Sequence, residues 1–125
     1  MLMDNSKKIK DIQQEFHKKF PFLKLEFYKG SHHKGESSPF SEQWDNEQLI
    51  DEVRSIHTEG HLSIREEMPV SALERNFLEQ YGLNVQVFRR SGELWLQTSA
   101  TDKWTLAEQN RMGAHSEDLL REKKE

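Results

Sequence analysis

The chain has 125 residues, no cysteine, and a formal net charge of -4 from 18 Lys and Arg against 22 Asp and Glu. Only 34% of the residues are apolar, compared with about 45–50% in an average soluble domain. No apolar run reaches the roughly 18–20 residues of a membrane-spanning helix. The absence of cysteine excludes disulfides and thiolate metal sites, and the acidic balance argues against a dedicated nucleic-acid-binding protein.

Charge is distributed unevenly along the chain. Residues 1–34 carry eight lysines against four acidic side chains, whereas the remaining residues carry ten basic against eighteen acidic side chains. Such a basic end would weakly attract an acidic partner, although a solvated lysine-rich helix is the simpler interpretation. The N-terminus lacks the apolar segment of a secretory signal, which predicts a cytoplasmic protein.

The first elements are a helix, a strand and a long polar connection. Apolar side chains recur at helical spacing from residue 9 to residue 20 and predict a helix over residues 6–19. Alternation over residues 22–29 predicts a strand with one buried face. Residues 30–45 form a polar stretch longer than a usual connection, which predicts a loop that is either mobile or functional.

The middle of the chain predicts two further helices and a short strand. Apolar spacing over residues 46–60 indicates the first of these helices, and weak alternation over residues 61–67 indicates the strand. The next helix begins at a capping box in which Ser71 and Glu74 satisfy each other's backbone amides. Gly82 supplies the left-handed residue that ends this helix.

A hairpin is the best-specified element. Its strands cover residues 83–90 and 93–98 and are joined by a predicted two-residue turn, Ser91–Gly92. This turn would place Phe88 opposite Trp95 and Arg90 opposite Glu93. Alternation then divides the side chains between two faces of the hairpin. The aliphatic face carries Val85, Val87, Leu94 and Leu96, and the aromatic face carries Gln86, Phe88, Trp95 and Gln97.

The last predicted helix begins at a second capping box, formed by Thr105 and Glu108, and ends near Gly113. Residues 114–125 are charge-dense and predict a disordered tail. Residues 1–113 would then form a single α+β domain with the order α-β-α-β-α-β-β-α and no internal repeat. We expect two layers, in which helices pack mainly on one face of a four-stranded mixed or antiparallel sheet.

This architecture suggests a contact surface. If helices cover only the aliphatic face, an aromatic patch stays open, with Phe88, Arg90 and Trp95 on the hairpin and Trp104 beside it. Aromatic and arginine side chains are the usual anchors of protein interfaces. The sequence therefore predicts a non-catalytic protein-binding module without a cofactor, or one that buries the patch in a homodimer. The alternative is that the last helix and Trp104 fold back over the rings.

A second hypothesis about function comes from the histidines. Four of the six fall within residues 32–61, namely His32, His33, His57 and His61. Two histidines four residues apart share one face of a helix and can bind zinc together. Here Gly60 interrupts that helix, and Thr58 stands where the zinc-protease pattern has its catalytic glutamate. Surface histidines are the simpler interpretation. The alternative function is a small metal- or anion-dependent enzyme or ligand-binding domain built on residues 30–61.

Overall fold

The computed structural model describes residues 1–30 and 42–124. In chain order its elements are β1 (Leu2–Met3), α1 (Ile9–Lys19), β2 (Leu23–Tyr28), α2 (Ile50–Val53), β3 (Gly60–His61), α3 (Val70–Tyr81), β4 (Asn84–Ser91), β5 (Leu94–Gln97), a 3₁₀ turn (Ser99–Thr101) and α4 (Leu106–Lys124). The strands form an antiparallel sheet of order β2-β4-β5 and a separate antiparallel pair of β1 with β3. The α+β class is confirmed, whereas the expected single four-stranded sheet is not found in the described residues.

The core lies between the helices and one face of the three-stranded sheet. The stripe of α1 is fully buried, as its spacing predicts, and so are the inward side chains of β2 and β4. In α3, Phe77 packs edge-on against Phe27 of β2 with ring centroids 6.0 Å apart. Gly82 ends α3 with φ 62° and ψ 34°, which confirms the predicted left-handed stop.

α1 also covers the outer edge of β2. Gln13 donates a hydrogen bond of 2.8 Å from Nε2 to the carbonyl oxygen of Leu25. One turn later, Nδ1 of His17 lies 2.8 Å from the carbonyl oxygen of Leu23. These side chains satisfy backbone groups that an edge strand would otherwise leave open.

The two halves of the chain repeat the same order of elements. A strand, a helix and a sheet strand follow one another in β1-α1-β2 and again in β3-α3-β4. β1 pairs with β3 and β2 pairs with β4, so each strand meets its counterpart. The sequence shows no internal repeat, because the halves share apolar spacing rather than residue identity.

The two halves contact each other at corresponding elements. Met1 and Leu62 exchange two backbone hydrogen bonds of 2.8 and 3.0 Å, and Glu26 lies directly opposite Gln86. In each half, a backbone bridge also joins two helix starts, Lys8 with Leu49 and Pro69 with Thr105.

The predicted helix over residues 46–60 is reduced to the single turn of α2. Arg54 leaves the helix and buries its guanidinium, which donates to the carbonyl oxygen of Thr58 at 3.0 Å and to the side chain of Asn5. Ile56, an apolar residue of the predicted stripe, is 38% exposed. The strand expected over residues 61–67 is likewise only β3.

The capping box predicted for α3 is wrong. α3 begins directly after Pro69 without a side-chain cap. Glu74 instead accepts a hydrogen bond of 3.1 Å from the backbone amide of Val87. The paired residues of β4 and β5 end at Phe88 and Gln97. The Glu74 carboxylate therefore accepts the hydrogen bond of the Val87 amide where strand pairing stops.

The capping box predicted for α4 is confirmed. Thr105 and Glu108 exchange two hydrogen bonds of 3.1 Å between side chain and backbone amide. The predicted end of this helix near Gly113 is wrong. Gly113 lies within α4, where it is buried and packs against Phe22. Residues 114–124, expected to be a disordered tail, continue the helix to Lys124.

Candidate functional site

The hairpin turn lies one residue further along the chain than predicted. Ser91 pairs with Leu94, so the two loop residues are Gly92 and Glu93. Gly92 adopts φ 62°, and a glycine with positive φ at the first loop position is typical of type II′ hairpin turns. The Gly-X dipeptide was therefore the sequence signal that locates this turn.

The pairing across the hairpin changes with the turn. Phe88 lies opposite Gln97 and Arg90 lies opposite Trp95, so the predicted pairs Phe88–Trp95 and Arg90–Glu93 are wrong. The partner of each residue shifts by two positions, and an even shift leaves the alternation of the two faces intact. Phe88, Arg90 and Trp95 therefore still share one face of the sheet.

Cations surround Trp95 on this face. The ammonium nitrogen of Lys24 lies 5.0 Å from the centroid of the Trp95 ring and 5.2 Å from that of Phe88. The guanidinium carbon of Arg90 lies 5.4 Å from the Trp95 ring, and the His17 ring meets it edge-on at 6.3 Å. Phe88 is only 9% exposed, whereas Trp95 remains partly exposed. Of these two hairpin rings, Trp95 is thus the accessible one.

An open groove of ≈ 410 Å³ runs from Trp95 along α1; we call it the α1 groove. Its charged lining is dominated by lysines, namely Lys10, Lys18 and Lys24 against the single acid Glu26, and the His17 ring also lines it. Local sequence patterns do not reveal this assembly, because α1 and β2 are far from the hairpin along the chain.

The opposite side of the hairpin carries an exposed apolar surface. Leu94 is 73% and Leu96 47% exposed, although the helices were expected to cover both. α3 and α4 contact β4 and bury its valines, but they leave these leucines of β5 open. Arg89 lies opposite Leu96, and its guanidinium carbon is 5.7 Å from the ring of Trp104. We call Leu94, Leu96 and Trp104 the leucine face.

Trp104 is therefore separated from the other predicted contact residues. It is 37% exposed and belongs to the leucine face, whereas Phe88, Arg90 and Trp95 point to the other side of the sheet. It does not fold back over their rings. The structure thus brings together three of the four predicted residues and places the fourth on the far side of the same hairpin.

The histidines do not converge within the described residues. Nδ1 of His57 lies 2.8 Å from a carboxylate oxygen of Asp51, and His61 is exposed in β3. His32 and His33 lie outside the described residues. Across residues 1–30 and 42–124, no group of three or more histidine and acidic side chains is arranged as metal ligands would be.

Two further findings concern the described chain as a whole. None of its helices combines the length and apolarity needed to cross a membrane. No protein-family model, no curated protein and no solved structure matches the chain.

Proposed function

We propose that this chain is a non-catalytic protein-binding module whose contact element is β5. Three successive large side chains of this strand are accessible, Leu94 and Leu96 on one face and Trp95 on the other. Contiguous exposed apolar side chains rimmed by polar groups are typical of protein-interaction sites. The exposure of both leucines is the observation that carries the proposal, because only 34% of this chain is apolar.

The position of the strand supports this role. Among the described residues β5 pairs only with β4, and the helices leave both of its faces accessible. A partner that wraps around the strand would bury the leucine face from one side and Trp95 from the other. Tryptophan and arginine are enriched among the residues that dominate binding energy, and Arg90 lies against the Trp95 ring.

Trp95 is also held in place before binding. Contacts with Lys24 and Arg90 restrict its ring, so less side-chain entropy is lost when a partner packs against it. The partner of β5 can also be a second copy of this chain, and the protein then self-associates. In that case a two-fold interface would bury β5 of both copies.

The test compares the wild-type chain with a double variant, Leu94→Ser with Leu96→Ser, and with Leu78→Ser as control. Leu78 lies on α3 and is 41% exposed, so it matches the leucines of β5 in kind and accessibility. Each protein is immobilised through a C-terminal tag, and proteins captured from a cell extract are quantified by mass spectrometry. Light scattering over a range of concentrations measures self-association in parallel.

The proposal predicts that wild type and Leu78→Ser retain the same partner or the same oligomeric mass. Burying a leucine fully is worth about 1.5–3 kcal/mol, so the double variant should weaken the complex by about a hundredfold or more. An unchanged partner and an unchanged mass in the double variant would contradict the proposal. So would a wild-type chain that neither captures a protein nor self-associates.

A further inference from the structure

We infer that the α1 groove receives an acidic segment of the bound protein. This inference rests on the proposed function and specifies the chemistry of the partner. Trp95 connects the two, since it belongs to β5 and also lines the groove. A chain that covers β5 on the Trp95 side therefore continues into the α1 groove.

The electrostatics of the groove favour carboxylates. Lys10, Lys18 and Lys24 line it, whereas Glu26 is its single acid. Glu26 is already engaged, because it accepts a hydrogen bond of 3.2 Å from Gln13 and lies 3.5 Å from the ammonium of Lys24. The same ion pair engages Lys24, and Glu47 engages Lys10, so Lys18 is the lining lysine that no acid of the described residues compensates.

Lys18 is the cation best placed to meet an incoming carboxylate. It is exposed near the end of α1 and has no ion-pair partner within the described residues. Lys10, in contrast, forms an ion pair of 2.8 Å with Glu47. A carboxylate that binds Lys18 therefore breaks no existing ion pair, which lowers the cost of forming the contact.

The uncharged part of the α1 groove can contact an apolar or neutral polar side chain of the partner. The Trp95 ring presents an aromatic surface, and Gln13, Gln14 and Asn46 supply amide groups. A volume of ≈ 410 Å³ falls in the range of about 300–1,000 Å³ that small binding sites occupy. The groove accommodates a few side chains of an extended peptide, with an apolar residue on Trp95 and acidic residues on either side.

A peptide fits these observations better than a nucleic acid. Nucleic-acid affinity depends on neutralising many phosphates, and this groove offers three lysines. The net negative charge of the whole chain also repels a polyanion at long range. A short acidic peptide carries less charge and supplies the apolar side chain that Trp95 can pack against.

The probe is a fluorescein-labelled dodecapeptide in which glutamate alternates with leucine, and binding is measured by fluorescence anisotropy. A peptide of the same length with lysine in place of glutamate is the matched control. The acidic peptide should bind, the basic one should not, and affinity should fall as salt rises from about 50 to 300 mM. An oligothymidylate of the same length tests the nucleic-acid alternative.

The variants locate the site. Lys18→Glu should weaken binding of the acidic peptide by about three- to tenfold, and Lys18→Gln should weaken it less. Lys103→Glu is the control, because Lys103 is exposed in the turn before α4 and does not line the groove. Circular dichroism melting verifies that each variant is folded.

Equal binding of both peptides, an unchanged affinity in Lys18→Glu, or tighter binding of the oligothymidylate would overturn the inference. These results differ from those that would overturn the proposed function. Partner capture that depends on Leu94 and Leu96, together with an unchanged peptide affinity in Lys18→Glu, would support β5 as the contact element. It would contradict the binding of an acidic segment in the α1 groove. If capture does not depend on the leucines, the proposed function itself is wrong.

Discussion

Gly113 of α4 lies so close to Phe22 that a Cβ on the glycine would be 2.8 Å from the Cβ of Phe22 and 3.0 Å from its carbonyl oxygen. One helical turn earlier, Oδ1 of Asn110 accepts a hydrogen bond of 2.9 Å from the Phe22 amide. α4 is therefore docked onto the chain just before β2 by a close backbone approach. This contact holds α4 beside β4, the first strand of the hairpin.

Gly113→Ala should destabilise the protein. Alanine is favoured over glycine in a helix by about 1 kcal/mol, but the contact with Phe22 involves backbone and Cβ atoms that cannot move aside cheaply. We expect a net loss of about 1–3 kcal/mol in the free energy of unfolding, measured by urea denaturation. Gly30→Ala is the control, since a Cβ there meets nothing within 4 Å. A Gly113→Ala variant as stable as wild type would show that the close approach is unimportant.

Thr105→Ala should weaken the start of α4. The substitution removes the hydroxyl that accepts the Glu108 amide at 3.1 Å, and loss of such a cap costs about 1 kcal/mol. Urea unfolding of Thr105→Ala is compared with that of Thr58→Ala, because Thr58 is exposed outside any helix or strand. Equal stabilities of the two variants would rule out a contribution from the cap.

The same cap predicts a pH dependence. Hydrogen bonds from the backbone amide and then the side chain of Thr105 lower the pKa of Glu108 below its ordinary value. The stabilisation is therefore present above about pH 4.3, the usual glutamate pKa, and is lost as pH falls through the lowered folded-state pKa. Wild type should exceed Glu108→Gln in stability at neutral pH, and the difference should shrink as the pH falls below the ordinary glutamate pKa.

The control for this titration is Glu122→Gln, since Glu122 is exposed near the end of α4. Its unfolding free energy should run parallel to that of wild type over the same pH range. A difference between wild type and Glu108→Gln that is constant with pH would contradict the assigned role of the carboxylate.

Arg54→Ala should be among the most damaging substitutions outside the apolar core. The guanidinium is fully buried and bonds to Thr58 and to Asn5, which lies in the turn before α1. Removing a buried charged group and its hydrogen bonds lowers the free energy of unfolding by about 2–4 kcal/mol. Arg65→Ala, at a side chain that is 68% exposed, should change stability by less than about 0.5 kcal/mol. Thermal melts that rank the two variants equally would refute this prediction.

Sequence patterns predict the fold well where the signal is local. The buried stripe of α1, the left-handed stop at Gly82 and the cap of Thr105 and Glu108 all depend on neighbours within a few residues. Prediction fails where a distant partner decides the outcome. Glu74 bonds to Val87 rather than to its own helix start, and Phe22 makes Gly113 a packing contact rather than a helix end.

The candidate site follows the same division. Alternation along β4 and β5 correctly places Phe88, Arg90 and Trp95 on one face, because side-chain direction is a local property. The contacts of Trp95 with Lys24 of β2 and His17 of α1 depend on tertiary packing, so local patterns did not predict them. Exposure of the leucine face depends on where α3 and α4 stop across the sheet, which local patterns do not specify.

Amide hydrogen exchange of residues 94–97 tests the central claim most directly. Exchange is followed by mass spectrometry for the free wild-type chain and for the chain bound to its captured partner or associated with itself. The account predicts that binding slows exchange in β5, with a smaller effect in the segment of α1 that lines the α1 groove. Unchanged exchange in β5 together with protection elsewhere, for example in α3, would contradict it.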